Sequence, residues 1–236
     1  MKIILRKLKM NAEEFEKNIN VNFNNKDLLL QALVHRSYLN EHPGFRLGHN
    51  ERLEFLGDAV LELIVTDYLY QNFENPEGEL TNLRSALVKT ETLSNIAKEM
   101  GTDDYLLLSK GEEKSIGRAR DVILANAFEA IIGAIYLDSG YENAQEFILK
   151  NVISILPDIL ANKLHIDPKS KFQELAQERE SITPAYKVLE EEGPDHDRVF
   201  TVGVFLNERM IGKGKGPSKQ LAQAAAAEDA LKKYNK

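Results

Sequence analysis

From about residue 12 to residue 160, apolar residues recur at three- and four-residue spacing and almost never alternate. That period places them on one face of a helix, whereas a half-buried strand needs a period of two. The runs 51–73, 80–100, 121–138 and 141–160 carry the pattern. Pro76 with Gly78, then Gly101, Gly111 with Gly117, and Gly140 punctuate them. Asp27 before Leu28, and Thr90 or Thr92 before the following run, read as helix starts. Pro157 is expected to interrupt the last long helix. Residues 11–160 therefore predict an all-α domain of ordinary size.

After residue 160 the texture changes. Residues 161–168 read as a short linker and 169–180 as a short amphipathic helix. Ala185–Glu191, Val199–Leu206 and Arg209–Gly214 read as three strands, with turns at Gly193-Pro194 and Asn207-Glu208. Ser218–Tyr234 is an alanine-rich helix, built from the strongest helix former. Residues 169–236 thus predict a small α+β module in the order α-β-β-β-α. There are no internal repeats.

Composition narrows the chemistry. The chain has 236 residues and no cysteine, which excludes disulfides, thiolate metal sites and cysteine nucleophiles and fits a reducing cytoplasm. No run approaches the ~18–20 apolar residues of a membrane span. The opening, with Lys2, Arg6, Lys7 and Lys9, is too interrupted for a signal peptide and reads as a tail before the first helix. The net charge of −7 is unequally spread. Residues 168–236 hold 12 Lys or Arg against 11 Asp or Glu, so the acidic excess lies in the helical part.

The most informative segment is Asn50-Glu51-Arg52-Leu53-Glu54-Phe55-Leu56-Gly57-Asp58. Glu51, Glu54 and Asp58 stand at i, i+3 and i+7, on one helix face. Three like charges in one stripe repel by a few tenths of a kcal/mol per exposed pair, and a hard divalent cation would reverse that penalty. A solvated acidic face is the plain alternative. Asn126 and Glu129, also i and i+3, lie in an otherwise apolar run from Ile123 to Gly133. A charged group there needs a partner or an ion. Two helices that each bring oxygen ligands favour a metal site. A carboxylate-bridged di-iron design needs Glu-x-x-His pairs, and none of the five histidines has Glu three residues before it. His35 reads as a packing or capping residue.

Glu51 to Asp58 resembles the signature of the ribonuclease III family. The resemblance continues through His35-Arg36-Ser37-Tyr38, Gly78 to Arg84, Lys110 to Glu113 and Ile123 to Asp138, in family order over residues 20–236. It implies a magnesium-dependent endonuclease, with Mn2+ as a substitute, that cuts double-stranded RNA. Glu54, Asp58 and Glu129 would be metal ligands and catalytic groups. Glu51 would support the site, and Glu77 would line the cleft. Phe55 would plug the partner subunit of a homodimer with two centres in one valley. Each centre would cut one strand, leaving a 5′ phosphate and a short 3′ overhang. Processing of ribosomal and messenger RNA in the cytoplasm is the expected role, with no membrane and no small-molecule cofactor.

One departure matters. The position of Asn126 is normally aspartate in that family. An amide carbonyl can still reach an ion but brings no charge. The competing expectation is therefore a double-stranded-RNA binder with impaired cutting.

The C-terminal module resembles a double-stranded-RNA-binding domain, a class that reads A-form shape through 2′-hydroxyl and phosphate contacts. Gln173 and Glu174 would face one minor groove and His196 the next. Lys213, Lys215, Ser218 and Lys219 would meet phosphate near the last helix, whose N-terminus favours anions. The Gly/Lys stretch 212–219 is expected to supply flexibility and backbone donors. Gln220 stands where the family often has lysine, which predicts weaker phosphate contact. Lys110, Lys114, Arg118 and Arg120 form a basic loop that is a further candidate for the RNA backbone.

Overall fold

The computed structural model describes residues 13–165, 167–194 and 198–234. The expected N-terminal tail and His196 lie outside the described residues. By its internal contacts the chain divides into two compact units, 1–165 and 166–236.

In the first unit, residues 13–19 form helix α1. Then come α2 (Lys26–Ala32), α3 (Arg36–Glu41), α4 (Glu51–Asn72), α5 (Glu77–Val88), α6 (Thr90–Glu99), α7 (Arg118–Asn151) and α8 (Leu156–Ala161), with short 3-10 turns between some of them. The start of α2 lies before Asp27, because the Asn25 side chain caps the helix by accepting from the Asp27 N–H. His35 caps α3: its Nδ1 accepts from the Ser37 N–H at 3.3 Å.

Two boundaries follow expectation and a third departs from it. The 80–100 run is two helices, parted at Lys89, whose backbone is extended (φ −63°, ψ 149°), so α6 begins at the Thr90 start signal. Gly140 parts two helical runs as expected: its backbone is non-helical (φ 86°, ψ −176°), and α7 is two helices joined across it. Pro157, by contrast, does not interrupt a helix. It sits in the first turn of α8, where its missing N–H costs nothing.

The core gathers around α7. Phe128, Leu124, Ile131 and Ile132 are fully buried and pack with Leu61, Ile64 and Leu69 of α4 and Leu93 of α6. Each such side chain contributes roughly 1.5–3 kcal/mol by leaving water. The region Arg118–Ala161 is apolar enough to cross a membrane by length and composition, which a count of unbroken apolar runs misses. Burial on most sides inside this unit accounts for that apolarity.

The close approach of α4 and α7 rests on two glycines. A Cβ on Gly57 would lie 1.7 Å from the Glu129 carbonyl oxygen, and one on Gly133 would lie 2.2 Å from the Leu53 carbonyl oxygen. Backbone therefore meets backbone, and any larger residue would push the helices apart.

The second unit is α9 (Pro168–Glu180), β1 (Ala185–Glu192), β2 (Val199–Leu206), β3 (Arg209–Gly216) and α10 (Lys219–Tyr234), the α-β-β-β-α order. Asp167 caps α9, accepting from the N–H groups of Lys169 and Ser170, with Pro168 at the first helical position. The three strands pair antiparallel in the order β1-β2-β3. Leu189 is bulged out of the β1 register, between the pairs Val188↔Val202 and Glu190↔Thr201.

β3 runs to Gly216, so residues 212–216 of the Gly/Lys stretch are paired strand rather than loop. Cβ atoms on Gly212, Gly214 and Gly216 would fall 2.4, 2.2 and 2.7 Å from the Ala226 carbonyl, the Ala226 nitrogen and the Ala222 nitrogen. Alternate glycines of β3 thus seat the alanine face of α10 directly on the sheet. By the two-residue period of a strand, Lys213 and Lys215 point to the opposite side.

Candidate active site

The glycine crossing sets the neighbourhood of the carboxylates. Glu54 and Asp58 flank Gly57 on α4, while Asn126 and Glu129 precede Gly133 on α7. Glu129 is half-buried, and its carboxyl is pushed up to about 8. Loss of hydration is the largest cause, followed by repulsion from Asp58, Glu54 and Glu62. Glu54 is also half-buried and held above the usual carboxylate range. Desolvation leads again, with repulsion from Glu51 and Asp58, while a hydrogen bond from the Asn126 side chain pulls the other way.

The structure thus brings Glu54, Asp58, Asn126 and Glu129 together. The donors are hard oxygens gathered at a partly dehydrated point with unrelieved negative charge, which is the chemistry a divalent cation satisfies. Among the described residues, no three His, Asp or Glu side chains converge closely enough to hold a metal ion by themselves. An ion at this point would need waters or phosphate oxygens to complete its shell.

Glu51 stands in the first turn of α4, exposed, with its oxygens 3.5 Å from Arg36 Nη1 and 3.7 Å from His49 Nδ1. Glu77 is not drawn into the group. It opens α5 and lines a separate hollow with Thr66, Leu69, Tyr70 and Arg84. Glu62, one turn beyond Asp58, was not singled out by sequence. Its carboxylate pairs with Arg84 Nε at 3.0 Å, and Arg84 Nη1 donates to Thr66 Oγ1 at 2.9 Å. The i, i+4 spacing from Asp58 was the available signal. Phe55 is 80% exposed beside an apolar hollow lined by Leu28, Leu53, Leu56 and Leu137.

The basic loop is only partly available to a ligand. Arg120 is 16% exposed and turned inward, its Nη2 2.6 Å from Asp103. Lys110, Lys114 and Arg118 are exposed.

In the second unit Gln173 and Glu174 are exposed on α9. Ser218 Oγ accepts from the Leu221 N–H at 3.2 Å and so caps the start of α10. The Lys213 backbone N–H donates to Asp229 at 2.9 Å, Lys215 Nζ lies 3.5 Å from Glu192, and Lys219 Nζ lies 3.2 Å from Glu191.

Two family models match the chain: "Ribonuclease-III-like" over residues 25–156 and "Double-stranded RNA binding motif" over residues 168–234. Ribonuclease 3 of Enterococcus faecalis is 47% identical over 220 residues, 93% of this chain and 95% of that protein. Ribonuclease 3 of Borreliella burgdorferi is 46% identical over 226 residues, 95% of this chain and 91% of that protein. The solved nuclease domain of ribonuclease III from Campylobacter jejuni is 40% identical, with a TM-score of 0.55, covering 61% of this chain and 98% of that one. That structure was described for flexibility in a region involved in dimer formation. Agreement over nearly the full length of such relatives does not favour a binder that has lost its nuclease. The helical unit with its crossed carboxylate helices, and the α-β-β-β-α unit that follows, place the chain in the ribonuclease III family of endoribonucleases.

Proposed function

We propose that the chain cuts double-stranded RNA in a magnesium-dependent hydrolysis at the α4–α7 crossing, with Mn2+ as a substitute. The observation that carries this reading is the half-buried Glu129 among the carboxylates of Asp58, Glu54 and Glu62, its own carboxyl raised to about 8. Glu54, Asp58 and Glu129 would hold the ion, with the Asn126 carbonyl as a neutral fourth donor. Bound there, the cation supplies an activated water, charge stabilisation on the phosphate and help for the leaving group. The chain's part is geometric. The glycine crossing fixes the spacing of the carboxylates, Arg36 and His49 brace Glu51, and Glu77 borders the path of the RNA.

The second unit supplies RNA affinity. Gln173, Glu174, His196, Ser218 and Lys219 form its proposed contact set, while Lys213 and Lys215 are left out of it because they point to the sheet face away from α10. Phe55, exposed against an apolar hollow, is proposed to seat in the partner of a homodimer. Two centres would then give 5′-phosphate products with short 3′ overhangs. Ribosomal and messenger RNA precursors in the cytoplasm are the proposed substrates.

The test is Glu129→Gln, near in shape and unable to carry charge. In magnesium, the parent should cut a long RNA duplex, and the variant should lose cutting by at least about 100-fold while binding the duplex equally. Unimpaired cutting by the variant would remove Glu129 from the centre.

A further inference from the structure

Lys219 is the one charged residue in the first turn of α10, because Gln220, Leu221 and Ala222 follow it. Its ammonium, though exposed, has partners. Lys219 Nζ lies 3.2 Å from Glu191 Oε1 and sits over the Phe200 ring, 5.4 Å from its centre. Glu191 and Phe200 face each other in the β1–β2 register, and Phe200 in turn faces Gly216 on β3. Phe200 packs against the core between the sheet and the helices, so this row lies on the helix side of the sheet. The other Glu191 oxygen is 3.5 Å from Arg198 Nη1, at the start of β2. One carboxylate is therefore shared by two cations, one before β2 and one at the start of α10.

We infer that Glu191 is an internal competitor of RNA phosphate: its carboxylate occupies Lys219 and Arg198 in the free protein and is displaced when RNA binds. The inference rests on the reading of Lys219 as an RNA contact. The physics is an exchange. An exposed ammonium–carboxylate pair is worth little in water, so a polyanion with its released counterions can replace it. The displaced carboxylate then stays near the phosphates, where its charge opposes binding. Together with Gln220, Glu191 lowers the electrostatic share of RNA affinity in this chain.

The experiment uses the full-length protein and a labelled perfect RNA duplex, read by fluorescence anisotropy in EDTA across a series of salt concentrations. Four proteins are compared: the parent, Glu191→Gln, Glu190→Gln and Lys219→Ala. Glu190 neighbours Glu191 on β1, and no ion pair to it is found among the described residues, so it reports the general effect of removing one negative charge. Glu191→Gln should bind about two- to fivefold tighter at low salt, the range of an exposed ion pair. The gain should shrink as salt rises. Glu190→Gln should stay near the parent, and Lys219→Ala should bind more weakly. The inference is overturned if Glu191→Gln binds no tighter while Lys219→Ala weakens binding. It is equally overturned if Glu190→Gln gains as much, because a general field would then explain the effect. If Lys219→Ala binds like the parent, the RNA-contact reading fails and takes the inference with it.

Discussion

Gly57 and Glu129 meet backbone to backbone: the space for a Cβ on Gly57 is occupied by the carbonyl oxygen of Glu129, 1.7 Å away. The residue that lets the helices touch is thus pressed against the residue whose carboxyl they must place. Helix packing and the candidate chemistry are one geometric fact here. Close packing of interiors leaves no slack to absorb a methyl group at that point.

Gly57→Ala is therefore expected to cost about 3 kcal/mol or more, at the upper end for overpacking, because the clash is with backbone and not with a mobile side chain. Gly133→Ala should behave alike, since its Cβ would reach 2.2 Å from the Leu53 carbonyl. Gly78→Ala is the control. A Cβ there meets nothing within 4 Å, and alanine should be neutral or slightly stabilising in the first turn of α5. Denaturant unfolding of the three variants distinguishes the cases. An alanine at 57 that left stability unchanged would show that the helices do not cross this closely.

How much of this was legible beforehand differs from residue to residue. The stripe Glu51, Glu54, Asp58 and the pair Asn126, Glu129 could be placed on helix faces because a helix converts spacing into direction. Their meeting could not, because it depends on which face of α4 crosses which face of α7, and no periodicity encodes that. Gly57 and Gly133 carried the signal, but a lone glycine in a helical run reads first as a weak point. Glu62 escaped notice for a related reason: its partner Arg84 comes from another helix. The packing role of the β3 glycines is hidden because their neighbours are lysines and their packing partner, the backbone of α10, is invisible in sequence. The break at Lys89 has no Gly or Pro to announce it, only the start signal at Thr90.

The raised carboxyl of Glu129 predicts how the metal-free protein responds to pH. A group whose pKa is higher folded than unfolded keeps its proton longer in the fold. Its contribution is fully present below the unfolded value of 4.5 and is lost as pH rises through about 8. In EDTA the melting temperature of the parent should therefore fall across that window by several degrees relative to Glu129→Gln, at about 2–4 °C per kcal/mol for a unit of this size. His35, whose pKa is lowered by burial, acts with the opposite sign near 6.5, but it is common to both proteins and cancels. Magnesium should restore stability most at high pH, where it no longer competes with a proton. A parent and variant with parallel pH profiles would contradict the raised value.

Phe55 predicts assembly. A phenylalanine that is 80% exposed beside an apolar hollow is costly in water and characteristic of an interface. Phe55→Ala should leave the fold intact and weaken self-association by about 2 kcal/mol or more, the range of a buried aromatic anchor. Sedimentation at micromolar concentration reads this directly: a dimeric parent and a substantially dissociated variant are expected. A parent that sediments as a monomer would remove Phe55 from any dimer contact.

Asn126→Asp bears on what the amide does. In the parent, the Asn126 side chain gives a hydrogen bond to Glu54, which eases the crowding of carboxylates. Aspartate removes that donor and adds a charge facing Glu54. Without divalent ions the variant should be less stable than the parent, by about 1 kcal/mol or more, since a satisfied partner becomes a repelling one. With magnesium the order should narrow or reverse, because an added anionic oxygen raises affinity for a hard cation. Thermal melts over a magnesium titration give both quantities, and the half-saturating concentration should be lower for the variant. Cleavage of a long duplex under the same titration should then show the parent needing more magnesium to reach its full rate. If both proteins saturate at one concentration, Asn126 does not influence the ion, and its amide serves only to hold Glu54.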